Sequence, residues 1–273
     1  ASRMRLAGRT AVITGAASGI GRAIAVSLAQ RGCHVALADI DDSGMAETAK
    51  LVRRDALRVS QHRIDVADRV AVADFPKAVE AEHGGVDVLV NNAGVAVGGT
   101  FDQVSEADFD WLFEINFWGV VRITRAFLPL LRKSDDARIV NLSSIYGVIA
   151  PPEQTAYSAS KFAVRGFSEA LRHELEKSSH IGVTVVHPGG VATSIAEKAR
   201  VPAGVTEEEI ARRRERHRKL LVMPPPIAGE TIVRGIERRQ SRVLVGSDAK
   251  VISLIARLFP VTYWKLLSAR IED

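Results

Sequence analysis

Short apolar segments alternate with longer helical patterns along most of this 273-residue chain. The apolar segments are rich in Val, Ile and Leu with little polar alternation, which is typical of strands covered on both faces. The predicted strands are 10–13, 34–38, 59–64, 86–90, 138–142, 183–187 and 242–245. The predicted helices are 19–31, 43–54, 69–82, 106–133, 155–178 and 227–239. This alternation predicts a doubly wound α/β fold with a mostly parallel, seven-stranded sheet and helices on both faces.

The chain shows no Pro-, Gly- or Ser-rich linker and no internal repeat, so residues 1–273 are predicted to form a single domain. Two segments break the alternation of strands and helices. Residues 194–226 are too long for a simple connection, and we expect them either to cover a substrate site as a lid or to be mobile. Residues 248–273 form an apolar tail.

The distribution of charged residues and histidines limits the classes of function that this sequence predicts. The formal net charge is +5, and much of the local excess lies in the run 212–219. This run predicts a solvated helix face, with attraction of an acidic substrate or partner as the alternative. No aromatic residue interleaves the basic ones, so nucleic-acid binding is not expected. The seven histidines show no close ligand spacing, and no Cys/His cluster exists, so no metal site is predicted.

The compartment is inferred from cysteine usage and from the apolar segments. The single cysteine, Cys33, lies in an apolar stretch and is predicted to pack in the core. It cannot form an internal disulfide, which fits a reducing compartment. With no apolar signal core and no stretch of membrane-spanning length, a cytoplasmic protein is expected.

A glycine-rich loop, residues 14–21, connects the first predicted strand to the first predicted helix. Its glycines allow a tight turn close to phosphate oxygens, and the helix N-terminus adds free N–H groups and positive potential. Such a loop predicts a dinucleotide site in a Rossmann-type domain. The residues expected to contact the dinucleotide are Gly15, Ser18, Gly19, Ile20 and Gly21.

Acidic residues follow the next two predicted strands. Asp39 lies eighteen positions after Gly21, where a carboxylate accepts hydrogen bonds from the adenosine ribose and repels a 2′-phosphate. No basic residue occupies positions 16–18, so charge favours NAD over NADP as the cofactor. Asp65 and Val66 are also expected among the cofactor contacts. Asp65 either contacts the adenine edge or begins the next turn.

Tyr157 and Lys161 are four positions apart within a predicted helix, so they share one helix face. A free tyrosine is a poor base at neutral pH, and an ammonium group beside it favours the phenolate and lowers its pKa. The pair therefore predicts Tyr157 as the acid/base of a proton transfer next to the nucleotide. The alternative is a packed tyrosine with a satisfied hydroxyl group.

The ordered set of these motifs resembles the short-chain dehydrogenase/reductase family. The matching positions, from about 9 to 193, are the glycine loop, Asn91-Asn92-Ala93-Gly94, Asn116, Ser144, Tyr157 with Lys161, and Pro188-Gly189 with Thr193. The resemblance implies that Ser144, thirteen positions before Tyr157, donates to the substrate oxygen, with Ser143 as the alternative. It also implies that Lys161 holds the nicotinamide ribose.

The resemblance assigns further residues to the cofactor and to catalysis. Asn116 is expected to anchor a water molecule in a proton relay through Lys161, with a satisfied packing amide as the alternative. The expected cofactor wall consists of Asn91, Ala93, Gly94, Pro188, Gly189, Val191 and Thr193. The family commonly pairs subunits through two helices, which implies a homodimer or homotetramer formed by residues 111–131 and 157–175.

We therefore predict an NAD-dependent alcohol dehydrogenase or carbonyl reductase that interconverts a secondary alcohol and a ketone. An apolar wall is expected from Val148, Ile149, Pro151 and Pro152, which suggests a hydrophobic substrate. A 3-oxoacyl thioester reductase is the first alternative, because the basic run could meet an acyl carrier or coenzyme A. A non-catalytic NAD-sensing protein is the second, although the intact catalytic set argues against it.

The tail carries aromatic and aliphatic residues interrupted by Arg257, Pro260 and Lys265. Packing on the protein or on a neighbouring subunit is the favoured interpretation. The alternative is peripheral contact with a membrane surface, since the two cations lie close to one helix face. The charges and Pro260 argue against a spanning segment.

Overall fold

In the computed structural model, which describes residues 2–269, seven parallel strands form one sheet in the order β3-β2-β1-β4-β5-β6-β7. The strands are β1 Thr10–Thr14, β2 His34–Asp39, β3 Val59–Arg63, β4 Val88–Asn91, β5 Ala137–Leu142, β6 Ile181–Pro188 and β7 Arg242–Val245. Strands β1, β4 and β5 are buried along their whole length, as their apolar sequences indicate. The predicted doubly wound α/β fold is confirmed.

Helices cover both faces of this sheet. They are α1 Gly19–Gln30, α2 Asp42–Val52, α3 Arg69–His83, α4 Glu106–Phe113, α5 Gly119–Lys133, α6 Thr155–Ser178, α7 Glu207–Leu220, α8 Pro225–Glu237, α9 Ser247–Leu258 and α10 Tyr263–Ser268. One core cluster contains residues of α1, α2 and α8, and a second contains residues of α3, α5 and α6. The first cluster also holds Cys33, which is fully buried as predicted and donates its thiol hydrogen to the Leu6 carbonyl.

The strand order reverses between β1 and β4. The chain passes from β1 outward to β2 and β3, and then returns to pair β4 on the other side of β1. In an open parallel sheet the crevice beyond the carboxyl ends at such a point is where ligands bind. The glycine loop after β1 and the Asn-Asn-Ala-Gly segment after β4 both open onto this crevice.

The predicted helix 106–133 is not continuous. A π-helical turn at Glu114–Trp118 separates α4 from α5, and it contains the buried Asn116. The extra residue of such a turn shifts the following helix face by about 100°, but apolar residues are so frequent between positions 109 and 123 that the pattern does not show the shift. Such turns are frequent at functional sites.

The segment 194–226 contains α7, a helix with no buried residue. The last two residues of the segment 194–226 belong to the next helix, because α8 begins at Pro225. Proline is tolerated there since its missing N–H group would have no partner in the first turn. In residues 2–269 no helix combines the length and the apolar character needed to cross a bilayer.

Candidate active site

The loop after β1 is shaped by its glycines and by Asn92. Gly15 and Gly19 have positive φ angles of 64° and 55°, which side chains disfavour. A Cβ atom at Gly21 would collide with the Gly15 carbonyl oxygen. The Asn92 amide donates to the carbonyl oxygens of Thr14 and Gly15, at 3.3 and 3.1 Å. The segment after β4 thus fixes the loop from the opposite side of the crevice.

The N-terminus of α1 is open to the crevice. Ser18, its exposed N-cap residue, makes no side-chain capping bond, and no acidic residue lies in the first turn. Uncapped N–H groups at a helix N-terminus favour an anion such as a pyrophosphate. The Thr193 side chain lies across this loop, because a Cβ atom at Gly19 would be 3.2 Å from its methyl carbon. The glycine loop and the segment after β6 therefore face each other.

Asp39 is held at the end of β2 beside the glycine loop. Its Oδ2 accepts from the Ala17 N–H at 2.9 Å, and Oδ1 accepts from the Asp41 N–H at 3.1 Å. The guanidinium of Arg22 donates to the carbonyl oxygens of Ala17 and Gly44, and its Nε donates to a threonine hydroxyl of α2. Arg22 is thus held by neutral groups beside Ala17, so it keeps its positive charge near the Asp39 carboxylate.

Asp65 and Val66, which follow β3, have different surroundings. Asp65 is exposed, and its Oδ1 accepts from the Ala67 N–H at 2.9 Å. This contact is the one expected of a residue that begins a turn. Val66 is buried, and it packs against Gly119, where a Cβ atom would lie 2.7 Å from a Val66 methyl carbon.

The Asn91 side chain lies inside the sheet and does not face the crevice. Its amide donates to Thr124 and to Asn141, at 3.1 and 2.8 Å, and the residue is buried. The side chain therefore supports the sheet, and the next residue, Asn92, makes the contacts with the glycine loop. The sequence motif contained both asparagines, but the alternation of a strand assigns them to opposite faces only once the strand end is known.

Gly94 lies next to two predicted catalytic residues. A Cβ atom at this position would be 3.4 Å from the Asn116 Oδ1 and 3.7 Å from the Lys161 Nζ. The N–H group of Ala93 donates to the Thr14 hydroxyl at 3.0 Å. The backbone after β4 thus passes between the glycine loop and α6.

Adjacent serines after β5 point in different directions. Ser143 is buried, and its hydroxyl donates to the Lys161 carbonyl at 2.9 Å. Ser144 is partly exposed, and its hydroxyl oxygen accepts from the Tyr146 N–H at 3.0 Å. Its side chain also acts to lower the pKa of Tyr157, against the larger effect of burial. Ser143 is thus engaged inside the protein, whereas Ser144 is the serine that influences Tyr157.

Burial dominates the protonation of the tyrosine–lysine pair. It raises the pKa of Tyr157 to about 12 and lowers the pKa of Lys161 to about 8. The Lys161 Nζ donates to the Leu142 carbonyl at 3.1 Å and lies 5.6 Å from the centroid of the Tyr157 ring. The expectation that Lys161 lowers the Tyr157 pKa is therefore wrong for the chain alone, because the ammonium group stands over the ring and bonds elsewhere.

The Asn116 amide is fully bonded within the protein. Its Oδ1 accepts from the Val95 N–H at 2.8 Å, and its Nδ2 donates to the Val95 carbonyl and the Ser160 hydroxyl, at 2.9 and 3.2 Å. These bonds attach the segment after β4 to α6. They fit the packing alternative for the side chain, and the water relay stays a prediction.

Sequence reasoning missed His187, which lies directly beneath Ser144. Its Nδ1 is 2.8 Å from the Ser144 carbonyl, which can only accept, so Nδ1 carries the proton. The ring is fully buried, its Nε2 has no partner within residues 2–269, and burial lowers the pKa of the imidazole to about 4. A histidine interrupting the apolar run of β6 was the available signal.

Asp248 was also missed. Its carboxylate accepts from the Gly190 N–H at 2.8 Å, and a Cβ atom at Gly189 would collide with it. Pro188 and Val191 are buried around this segment, and Val191 packs with Met223 in a core cluster. The first turn of α9 thus fixes the turn after β6.

The segment 194–226 is fastened over the crevice by two arginines. Arg200 stacks on Trp111 at 3.6 Å and donates to Asp108 at 2.9 Å. Arg213 of α7 bonds to Gln103 at 3.2 Å and also pairs with two glutamates, one of them Glu153. A cavity of about 700 Å³ remains beneath α7, lined by Ala192, Thr193, Ser194, Ala196, Glu197, Arg214, His217, Arg218 and Leu221.

An apolar cluster lies on the other side of Ser144. Ile145 and Ile149 pack with residues of α9 and α10, and the Ala150 N–H donates to the Tyr263 hydroxyl at 3.0 Å. Tyr146, which contacts the same cluster, also packs edge-on against Tyr157 with ring centroids 6.2 Å apart. Within residues 2–269 no group of three or more His, Cys, Asp or Glu side chains is placed to hold a metal ion.

Comparison with known proteins agrees with this geometry. The family model described as short chain dehydrogenase matches residues 9–203. A Mycobacterium tuberculosis protein named as an oxidoreductase, SadH, is 44% identical over 263 residues, which cover 96% of this chain and 95% of that protein. The 3-oxoacyl-[acyl-carrier-protein] reductase FabG of Thermotoga maritima is 34% identical and is matched over 77% of this chain and 84% of its own length.

A solved structure extends the likeness to the whole fold. A short-chain dehydrogenase/reductase of Burkholderia phymatum, crystallised with NAD, superposes with a TM-score of 0.86 at 30% identity, covering 93% of this chain and 94% of that one. The chain therefore belongs to the short-chain dehydrogenase family of oxidoreductases, as its ordered motifs indicated.

Proposed function

We propose that the protein is an NAD-dependent oxidoreductase that interconverts a secondary alcohol and a ketone on a hydrophobic substrate. The observation that carries the proposal is the juxtaposition of the Ser144 and Tyr157 side chains, in which Ser144 favours ionisation of the tyrosine. It lies at the carboxyl edge of the sheet, next to Lys161 and facing the segment that fixes the glycine loop. A carbonyl oxygen placed between these two hydroxyl groups would receive two hydrogen bonds.

The crevice fits a nicotinamide dinucleotide. A pyrophosphate fits at the N-terminus of α1, which has no side-chain cap. Gly15 and Gly21 approach each other closely in the loop before this helix, and the Thr193 side chain lies against Gly19. Asp39 offers acceptors for ribose hydroxyls and repels a 2′-phosphate, which supports NAD as the cofactor. The solved neighbour from Burkholderia phymatum was crystallised with NAD. When bound, the nicotinamide would supply or accept the hydride.

Tyr157 and Ser144 would handle the proton and the developing charge. With its pKa raised to about 12, Tyr157 carries its proton at neutral pH and can donate it to a ketone oxygen. Ser144 would donate to the same oxygen and stabilise the charge that develops on it. In the direction of alcohol oxidation the tyrosine must lose its proton. A turn of the Lys161 ammonium toward the hydroxyl would favour that loss, since opposite charge stabilises the phenolate.

Tyr146 and Val148, which are partly exposed beside the buried Ile145 and Ile149, support a hydrophobic substrate. These residues follow Ser144 directly, and Tyr146 links the cluster to Tyr157. Burying apolar substrate surface there contributes about 25 cal/mol for each Å² removed from water.

Turnover of a panel of secondary alcohols, followed by the absorbance of NADH, tests the proposal. The unmodified protein should turn over apolar alcohols, and Tyr157→Phe should abolish turnover while NAD still binds by calorimetry. Retained turnover in Tyr157→Phe would contradict the assignment of the acid/base. NAD binding without turnover of any alcohol or ketone would favour an NAD-sensing protein.

A 3-oxoacyl thioester reductase is the second candidate. It is favoured by the likeness to FabG of Thermotoga maritima and by the exposed basic residues of α7, Arg212, Arg214, Arg216 and Lys219. Thioesters of coenzyme A should then be reduced faster than simple ketones of the same chain length. A strong fall in that advantage at high salt would identify the basic helix as its source.

The protein is also proposed to form a homodimer or homotetramer through α4, α5 and α6. Trp118, in the π-helical turn between α4 and α5, and Phe162, on α6, expose 44% and 38% of their surface. Burial of such side chains between subunits would be favourable. A monomer by light scattering at micromolar concentration would contradict this assignment.

A further inference from the structure

The outer face of α9 and α10 is apolar and exposed. Val251, Leu254 and Leu258 follow each other at three- and four-residue spacing on α9, and they expose 48%, 57% and 63% of their surface. This spacing places them on one helix face. Phe259, Val261 and Leu266 extend the surface into the turn and into α10. These six residues form the apolar outer face.

The two helices are firmly attached to the protein by their other side. Ala249 is fully buried, and Ile252 and Ile255 pack in the cluster that contains Ile145 and Ile149. The hydrogen bond from Ala150 to the Tyr263 hydroxyl ties α10 to the same segment. The packing predicted for the tail is therefore found for its inner face. The outer face is exposed although the helices themselves are held in place.

Cations surround the apolar outer face. Lys250, Arg257 and Lys265 are exposed, and no ion pair is found for them within the described part of the chain. Asp248, the acidic residue of α9, is exposed at the start of the helix, where its carboxylate accepts from the Gly190 N–H. Asp248 is the sole acidic residue between positions 247 and 269. The outer face is thus both apolar and positively charged.

We propose that this face docks the protein on a membrane surface that contains anionic lipids. Aliphatic and aromatic side chains would enter the boundary between headgroups and acyl chains, and the three cations would remain among the phosphates. Contact is peripheral, since no described helix can span a bilayer. The inference does not depend on the proposed reaction.

A second copy of the chain fits this face less well. A two-fold contact brings the same patch of two subunits together. Lys250, Arg257 and Lys265 would then lie against the same cations of the partner, and the sole acid of α9 and α10, Asp248, is already engaged with the Gly190 N–H. Anionic lipid headgroups remove that repulsion.

Flotation with vesicles of phosphatidylcholine alone, and with added phosphatidylglycerol, tests the proposal on the full chain. The unmodified protein should float with the anionic vesicles and much less with the zwitterionic ones. Lys250→Gln combined with Arg257→Gln should weaken binding to anionic vesicles roughly 30-fold. Raising the salt concentration should also weaken the binding of the unmodified protein to these vesicles. Leu254→Glu combined with Leu258→Glu should abolish flotation.

Val70→Glu is the matched control, because Val70 exposes 73% of its surface on α3, which is a different helix. It should float like the unmodified protein, and circular dichroism should show the same fold for all variants. The proposal is overturned if the unmodified protein does not float with anionic vesicles, or if both paired variants float unchanged. It is also overturned if the paired leucine variant changes the molecular mass in light scattering, since the face would then bind a second copy.

Discussion

At the residue scale, Ser143 and Ser144 share one chemistry but have opposite surroundings. Ser144→Ala should lose on the order of 10²–10³ in kcat, because it would remove a donor to the substrate oxygen. Ser143→Ala should lose much less rate. It should cost about 1–2 kcal/mol of unfolding free energy, because the Lys161 carbonyl would lose a buried partner. Steady-state kinetics and urea unfolding separate the two effects, and an exchange of the two phenotypes would refute the assignment.

Asp39 offers a second residue-scale prediction. Asp39→Ala removes the charge that opposes a 2′-phosphate, so the preference for NAD over NADP should shrink. The ratio of kcat/KM for the two cofactors measures it. Asp41→Ala is a suitable control for a general loss of negative charge, although it also removes the cap of α2. Equal use of NAD and NADP by the unmodified protein would contradict the argument.

At the element scale, α7 is fastened to the crevice mainly through one side chain. Arg213 bonds to Gln103 and Glu153, whereas its neighbour Arg212 is exposed and has no ion pair in residues 2–269. Arg213→Ala should therefore speed hydrogen exchange in α7 and raise the KM for substrate more than it lowers kcat. Arg212→Ala should change neither quantity. Identical behaviour of the two variants would show that these bonds do not hold α7 over the crevice.

Elements could be predicted from the sequence better than the contacts between them. The apolar runs of β1, β4 and β5 and the spacing of α6 are local properties, and they predicted the sheet and the placement of Tyr157 with Lys161. The π-helical turn around Asn116 leaves no periodic signal, and the direction of the Lys161 ammonium depends on the carbonyl of Leu142, nineteen positions away. Long-range packing decides such features, so a single sequence did not reveal them.

At the scale of the whole molecule, two buried histidines should govern stability in mild acid. Burial lowers the pKa of both His83 and His187 to about 4, against about 6.5 in an unfolded chain. Between these values the unfolded chain binds more protons than the folded one. The free energy of unfolding should therefore fall as the pH falls from about 6.5 to about 4. Each imidazole contributes a slope of up to about 1.4 kcal/mol per pH unit.

Urea unfolding at a series of pH values measures this slope. The carboxylates act in a lower window, since Arg31 lowers the pKa of Glu230 to about 2 and its contribution is lost only below its ordinary pKa of 4.5. The range from pH 5 to 6.5 thus isolates the imidazoles. His83→Gln can keep a hydrogen bond to Ser60, whose hydroxyl lies 2.7 Å from the His83 Nε2. The variant should take up about one proton fewer on unfolding, which reduces the slope of the unfolding free energy against pH. A stability that is flat across this range in the unmodified protein would show that both imidazoles titrate normally.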